Sequence, residues 1–267
     1  MKNKINTLCS IIFGLILISC ESEEIISPDT GFVEYTVVQA EIQPDKYFPA
    51  VRFTKTLPLG ISFDIKQAEL KDVTAYIVKN EIQIIPLIYS GDGLYRPRYE
   101  FIVNEGETYE LIANYKGKFI YGKTFIPYRP VVTSVNYIAN GNYFEANTVS
   151  ETNTVYAALW IVLTTPPVEA EDFFSVSTQP ENNHNDISVR TATIPEKYRS
   201  LAYAGQRYIQ VFAFDQSYRK YFYSRTSGQL VNNPYVQGGG PIEWNMQGEK
   251  VMGMFIGVTR DLIRNVN

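Results

Sequence analysis

Glu105-Gly106-Glu107-Thr108-Tyr109-Glu110-Leu111 is the stretch on which the reading of this chain turns. Gly106 can take the positive φ of a tight turn, and a Tyr-x-Leu pair then enters an extended segment. Over Tyr109-Glu110-Leu111-Ile112-Ala113, alternate side chains point to opposite faces, so Tyr109, Leu111 and Ala113 share one face. A tyrosine at the mouth of such a strand has a structural role.

Working outward, the same period of two recurs. It appears in Phe119-Ile120-Tyr121-Gly122-Lys123, in Val51-Arg52-Phe53-Thr54-Lys55 and in Val73-Thr74-Ala75-Tyr76-Ile77. The chain holds 20 Tyr and 15 Phe, the side chains that fit a pleated, half-buried surface. Gly91-Asp92-Gly93 and Lys116-Gly117-Lys118 read as hairpin turns, and Pro86 and Pro97 as edge or bulge positions. The Gly-turn-Tyr arrangement resembles the tyrosine corner of immunoglobulin-like and transthyretin-like domains, in which the hydroxyl bonds back to the turn. The expected fold is therefore all-β. An N-terminal immunoglobulin-like/transthyretin-like antiparallel β-sandwich over 32–127 is followed by a second β-rich domain with one short helix.

Between these parts, Tyr128-Arg129-Pro130 reads as a stiff, proline-rich linker at 128–130. In the second domain, 131–267, the run Tyr156 to Leu163 reads as a strand buried on both faces, and Arg207 to Phe214 as another. Pro166 to Asn185 is a polar insertion. Gln216 to Ser227 is the expected helix, because Tyr218, Tyr221 and Phe222 fall at i, i+3 and i+4.

The first residues speak of location. Lys2 and Lys4 precede the apolar run Ile11 to Ile18, too short to span a bilayer, and the segment ends Leu17-Ile18-Ser19-Cys20. This matches a bacterial lipobox: residues 1–19 form the signal peptide and Cys20 is the lipidation site. Residues 20–31 then form a lipidated, acidic tether, in which Glu21, Glu23 and Glu24 resemble the signal that sends lipoproteins to the cell surface. Cys9 leaves with the signal, so no disulfide, cysteine nucleophile or cysteine metal site remains. Removal of the two leader lysines leaves 22 basic against 28 acidic side chains. That balance argues against nucleic acid as a partner and leaves the lipid anchor as the contact with the membrane.

A lipobox, a sandwich ending in Gly-x-x-Tyr-x-Leu and Thr124-Phe125-Ile126-Pro127, a β unit with a tyrosine-rich helix and a glycine-bearing last strand follow one another. This succession resembles the Bacteroidota outer-membrane lipoproteins grouped as domain of unknown function 4249. The likeness rests on Ala75, Gly106, Tyr109, Leu111, Pro127, Asn245, Gly248 and Gly253-Met254-Phe255-Ile256-Gly257; Met246-Gln247 and Glu249-Lys250 depart from its glycine-rich pattern. The resemblance implies a lipoprotein that works beside a TonB-dependent outer-membrane receptor, and it carries over no catalytic residue.

No cofactor, metal site or catalytic site is expected. His184 is the sole histidine, which removes His-based metal clusters and Ser-His-Asp triads. Gly238-Gly239-Gly240-Pro241 lacks the Lys-Ser/Thr of a phosphate loop, and Glu169, Glu171 and Asp172 lack the spacing of a calcium loop. The candidate partner surface is the aromatic and basic patch of Tyr218, Arg219, Tyr223 and Arg225, residue types enriched at interfaces. The sequence thus points to a non-enzymatic accessory or interaction module at the outer membrane. The alternative is a glycan-binding or adhesive module, with a glycan or peptide as ligand and Tyr95, Tyr99 or Tyr128 as stacking platforms.

Overall fold

A computed structural model of the chain describes residues 31–58, 60–169, 176–177, 186–203, 205–229 and 242–266, with the backbone alone at Tyr223 and 225–229. Cys20, the acidic tether, His184 and Gly238 to Gly240 lie outside the described residues, as do Glu171 and Asp172. Residues Glu34–Asn267 belong to one compact unit. Its described part is all-β and sandwich-like, with helices only at Ile65–Ala68 and Tyr218–Gln229 apart from two single 3₁₀ turns. No helix among the described residues is long and apolar enough to cross a membrane.

The first half holds β1 (Thr36–Ile42), β2 (Val51–Lys55), β3 (Thr74–Lys79), β4 (Gln83–Gly91), β5 (Leu94–Pro97), β6 (Thr108–Tyr115) and β7 (Lys118–Phe125). The second holds β8 (Val132–Ile138), β9 (Tyr143–Val149), β10 (Thr154–Val162), β11 (Val168–Glu169), β12 (Val176–Ser177), β13 (Asp186–Arg190) and β14 (Arg207–Asp215). It closes with β15 (Met246–Gly248), β16 (Val251–Arg260) and β17 (Arg264–Asn265). The long path of hydrogen-bonded neighbours runs β11-β10-β14-β16-β1-β2-β5-β4-β3-β6-β7-β15, and β13-β9-β8 form a second sheet. The pairs are antiparallel except β1 with β16.

Alternation along each strand fills the cores. Tyr109, Leu111 and Ala113 of β6 are buried, and Val73, Ala75 and Ile77 join them around β3. The two-residue turn between β6 and β7 is Lys116-Gly117, both at positive φ, as the twist of a tight hairpin requires. Pro86 is not at a sheet edge, since β4 lies between β3 and β5. Its missing donor falls where β5 stops: Pro97 is the last residue of β5, and the Arg98 amide beyond it donates to the Pro86 carbonyl. β10 is buried on both faces: Tyr156, Ala158, Trp160 and Val162 enter one core, Val155 and Ala157 a second beneath the helix.

Residues 128–130 join the two halves in sequence, but the end of the chain returns across them. Val251 to Gly257 pair with β1, whereas Val258 to Arg260 pair with β14. β16 therefore serves both halves, and Met246 and Phe255 complete the first core. Gly253 is the point of closest approach. Its φ is +127°, and a Cβ there would collide with the Val38 backbone of β1.

The corner at Tyr109 is partly as expected. The ring is fully buried, 5.7 Å from Phe48 and 6.1 Å from Phe101, and Gly106 turns at φ +78°. The hydroxyl, however, donates to the Glu107 carboxylate at 2.5 Å. The turn is closed by the Gly106 amide on the Ile126 carbonyl and the Ile126 amide on the Glu107 carbonyl, each at 2.8 Å.

Candidate functional site

A cleft of about 1500 Å³ opens beside the N-terminal half of the Tyr218–Gln229 helix, between the end of β7 and the segment Glu243 to Gln247. Its floor is a set of polar groups turned toward the backbone. Asp215 accepts from the Phe125 amide at 2.9 Å with one oxygen, and from the Ser217 amide (2.8 Å) and hydroxyl (2.5 Å) with the other. The Thr124 hydroxyl accepts from the Gly257 amide at 2.7 Å. The Asn245 side chain grips Phe255 twice, donating to its carbonyl at 2.6 Å and accepting from its amide at 2.9 Å. These bonds tie β7, the helix start and β16 into one wall.

The rim is charged. Lys123 lies 2.8 Å from Glu110 and 3.1 Å from Glu81, and these two carboxylates hold its ammonium well above the ordinary lysine range. Lys220 faces Glu243 at 3.9 Å with both side chains exposed, so the pair contributes little. Arg219 is exposed beside it. Trp244, half-buried, sets its ring 5.4 Å from Tyr221.

The candidate surface is divided by this geometry. Arg219 lines the cleft. Tyr218 is a correction: it is 7% exposed and stacks on Phe214 at 4.0 Å, and its burial pushes the phenol up. The helix lays Tyr218 and Phe222 against β10, β14 and β16, because a stripe at i and i+4 seeks the apolar sheet face. The side chains of Tyr223 and Arg225 lie outside the described residues. Among the proposed sugar platforms, Tyr95 is also a correction. It is 1% exposed, and its hydroxyl links Leu70 and Val73, donating to the carbonyl of one and accepting from the amide of the other, each at 3.0 Å. Tyr99 and Tyr128 are exposed, and the Tyr128 ring rests on the Gly106 turn.

Trp244, Asp215 and Ser217 were not singled out by sequence reasoning. The one signal for Trp244 is its rarity, two tryptophans in 267 residues. Glu169 is exposed, and among the described residues no three His, Cys, Asp or Glu side chains converge as metal ligands.

No family model and no curated protein matches the chain. Among solved structures it is similar to a DUF4785 family protein from Legionella pneumophila subsp. pneumophila str. Philadelphia 1, at 10% identity and a TM-score of 0.26. The match covers 67% of this chain and 51% of the Legionella chain, so it spans about half of that protein's length.

Proposed function

We propose that this chain is a lipid-anchored, surface-exposed outer-membrane lipoprotein of the kind grouped as domain of unknown function 4249. Its body would act as a non-enzymatic interaction module for a TonB-dependent transporter. The lipobox at Leu17 to Cys20 and the carboxylates of Glu21, Glu23 and Glu24 support the location. The observation that carries the activity is the cleft: its polar floor is committed to backbone, while Arg219, Lys220 and Trp244 present charge and aromatic surface at its rim. Such side chains suit an acidic, loop-borne surface of a partner.

Mild detergent extraction and capture, followed by mass spectrometry, tests this reading. The wild type should recover a barrel receptor. The double variant Arg219→Glu, Lys220→Glu should fold normally, since exposed changes fall within about ±0.5 kcal/mol, and should recover far less receptor. Equal recovery by both proteins would sink it. The glycan reading draws on one observation, the Trp244 ring at the cleft: if it is right, Trp244→Ala abolishes binding to a glycan array and leaves receptor capture untouched.

A further inference from the structure

Among the described residues of the second half, two buried donors have no acceptor. Trp160, 5% exposed, and Arg207, 8% exposed, leave the indole Nε1–H and the guanidinium Nε–H without a hydrogen-bond partner. Buried polar groups are paired in more than about 90% of cases, so two orphans on one sheet face require a reason. Val162 pairs with Arg207 and Trp160 with Ile209, which puts all four side chains on the same face of β10 and β14. Trp160 and Arg207 are diagonal neighbours there, about 7–8 Å apart at the backbone and within reach of long side chains.

The surroundings are aromatic and cationic. The Arg207 guanidinium lies 5.5 Å over the Tyr137 ring, and no carboxylate among the described residues pairs with it. Tyr198 stands 6.0 Å from Trp160 and carries Lys197 over its ring at 4.6 Å. Tyr203 meets Tyr198 edge-on at 5.4 Å. Arg207 opens β14 and Val162 closes β10, so the donors sit at the end of the strand pair, next to the exposed Gly205 and Gln206. The site brings together two unpaired N–H groups and the cations of Arg207 and Lys197 beside aromatic rings.

We propose that Arg207 and Trp160 are the paired donors of a binding site for a small carboxylate at the Val162–Arg207 end of the β10–β14 strand pair. A guanidinium fork and an indole N–H supply only donors, and a carboxylate supplies only acceptors. The anion would also compensate a guanidinium that the fold buries without a counter-charge. This site is on other elements than the cleft and does not depend on its reading.

The test uses the full chain, solubilised in detergent and labelled with nitrogen-15 at tryptophan, which has two indole resonances. Trp160→Phe deletes one and so assigns it. Sodium acetate should shift the Trp160 resonance saturably and leave Trp244 in place, and sodium chloride at equal ionic strength should not reproduce the shift. Arg207→Met should raise the apparent Kd at least tenfold. Arg207→Lys, which keeps the charge but loses the fork, should raise it severalfold and serves where the methionine variant fails to fold. Glucuronate and N-acetylglycine, run in parallel, tell whether a sugar acid or a peptide terminus is the better source of the carboxylate. A Trp160 resonance that acetate leaves unmoved, that chloride moves equally, or that shifts with unchanged Kd in the folded Arg207 variants overturns the site.

Discussion

Glu107 is held between an ammonium and a phenol. Burial pushes its carboxyl up, but Lys79 at 2.8 Å, the Tyr109 hydroxyl and the Asn104 amide outweigh that and bring it down to about 2. Because the folded value lies below the ordinary 4.5, the stabilisation is fully present above about pH 4.5 and is lost as pH falls toward 2. With the side chain 17% exposed, it is on the order of 3 kcal/mol. Urea melts at pH 7 and pH 2.5 should show the wild type losing most of that margin between the two, while Glu107→Gln starts lower and changes less; equal losses would disprove the assignment. Tyr109→Ala, which removes a fully buried ring, should cost about 3–5 kcal/mol in the same melts. The burial of Tyr109 was legible from its place in an alternating strand. Its partner was not, because Lys79 reaches Glu107 from a strand 28 residues away in sequence, and no local pattern encodes that meeting.

At the scale of elements, alternation and helical spacing were read well where one face is apolar. β10 and the helix over Tyr218–Gln229 follow from their patterns, with the helix displaced by two residues from 216–227. Function-bearing assignments failed where aromatic composition stood in for exposure. Tyr95 and Tyr218 have the polar tip and large ring of an interface residue, but here each packs in a core. Phe222→Ala should therefore destabilise by about 3–5 kcal/mol, while Arg219→Glu, at an exposed position of the same helix, should be nearly silent in a thermal melt. If the two changes cost the same, the helix does not pack with its aromatic face inward. Asn245→Ala gives a complementary check. It strips both side-chain bonds from Phe255 and leaves a strand amide and carbonyl to find water, a loss of about 1–3 kcal/mol readable by chemical denaturation.

For the whole molecule, the prolines at 128–130 suggested a connection between two parts, but the strand that spans it was not legible. A sequence reading weighs neighbours, whereas β16 belongs to β1 through a separation of more than 200 residues. Since β16 contributes Phe255 to the first core and Val258 to the core beneath the helix, removing it should dismantle both halves. A fragment of residues 31–130 should lack a cooperative transition by near-ultraviolet circular dichroism, and the intact chain should unfold in a single step. A fragment that melts cooperatively at the temperature of the whole protein would show that the first half stands alone.

The parallel pairing of β1 with β16 also sets an order in time. Thr36 finds Val251 only after more than 200 further residues have been synthesised, and such long-range closure is entropically slow. Until then one side of β1 presents unpaired amides and carbonyls, the kind of edge on which other chains can template. The nascent first half must therefore wait, shielded or kept extended, for β16 to arrive. Its hazardous interval ends when residues 251–257 arrive, not with the completion of its own 100 or so residues, about the size of a domain that would otherwise close on itself.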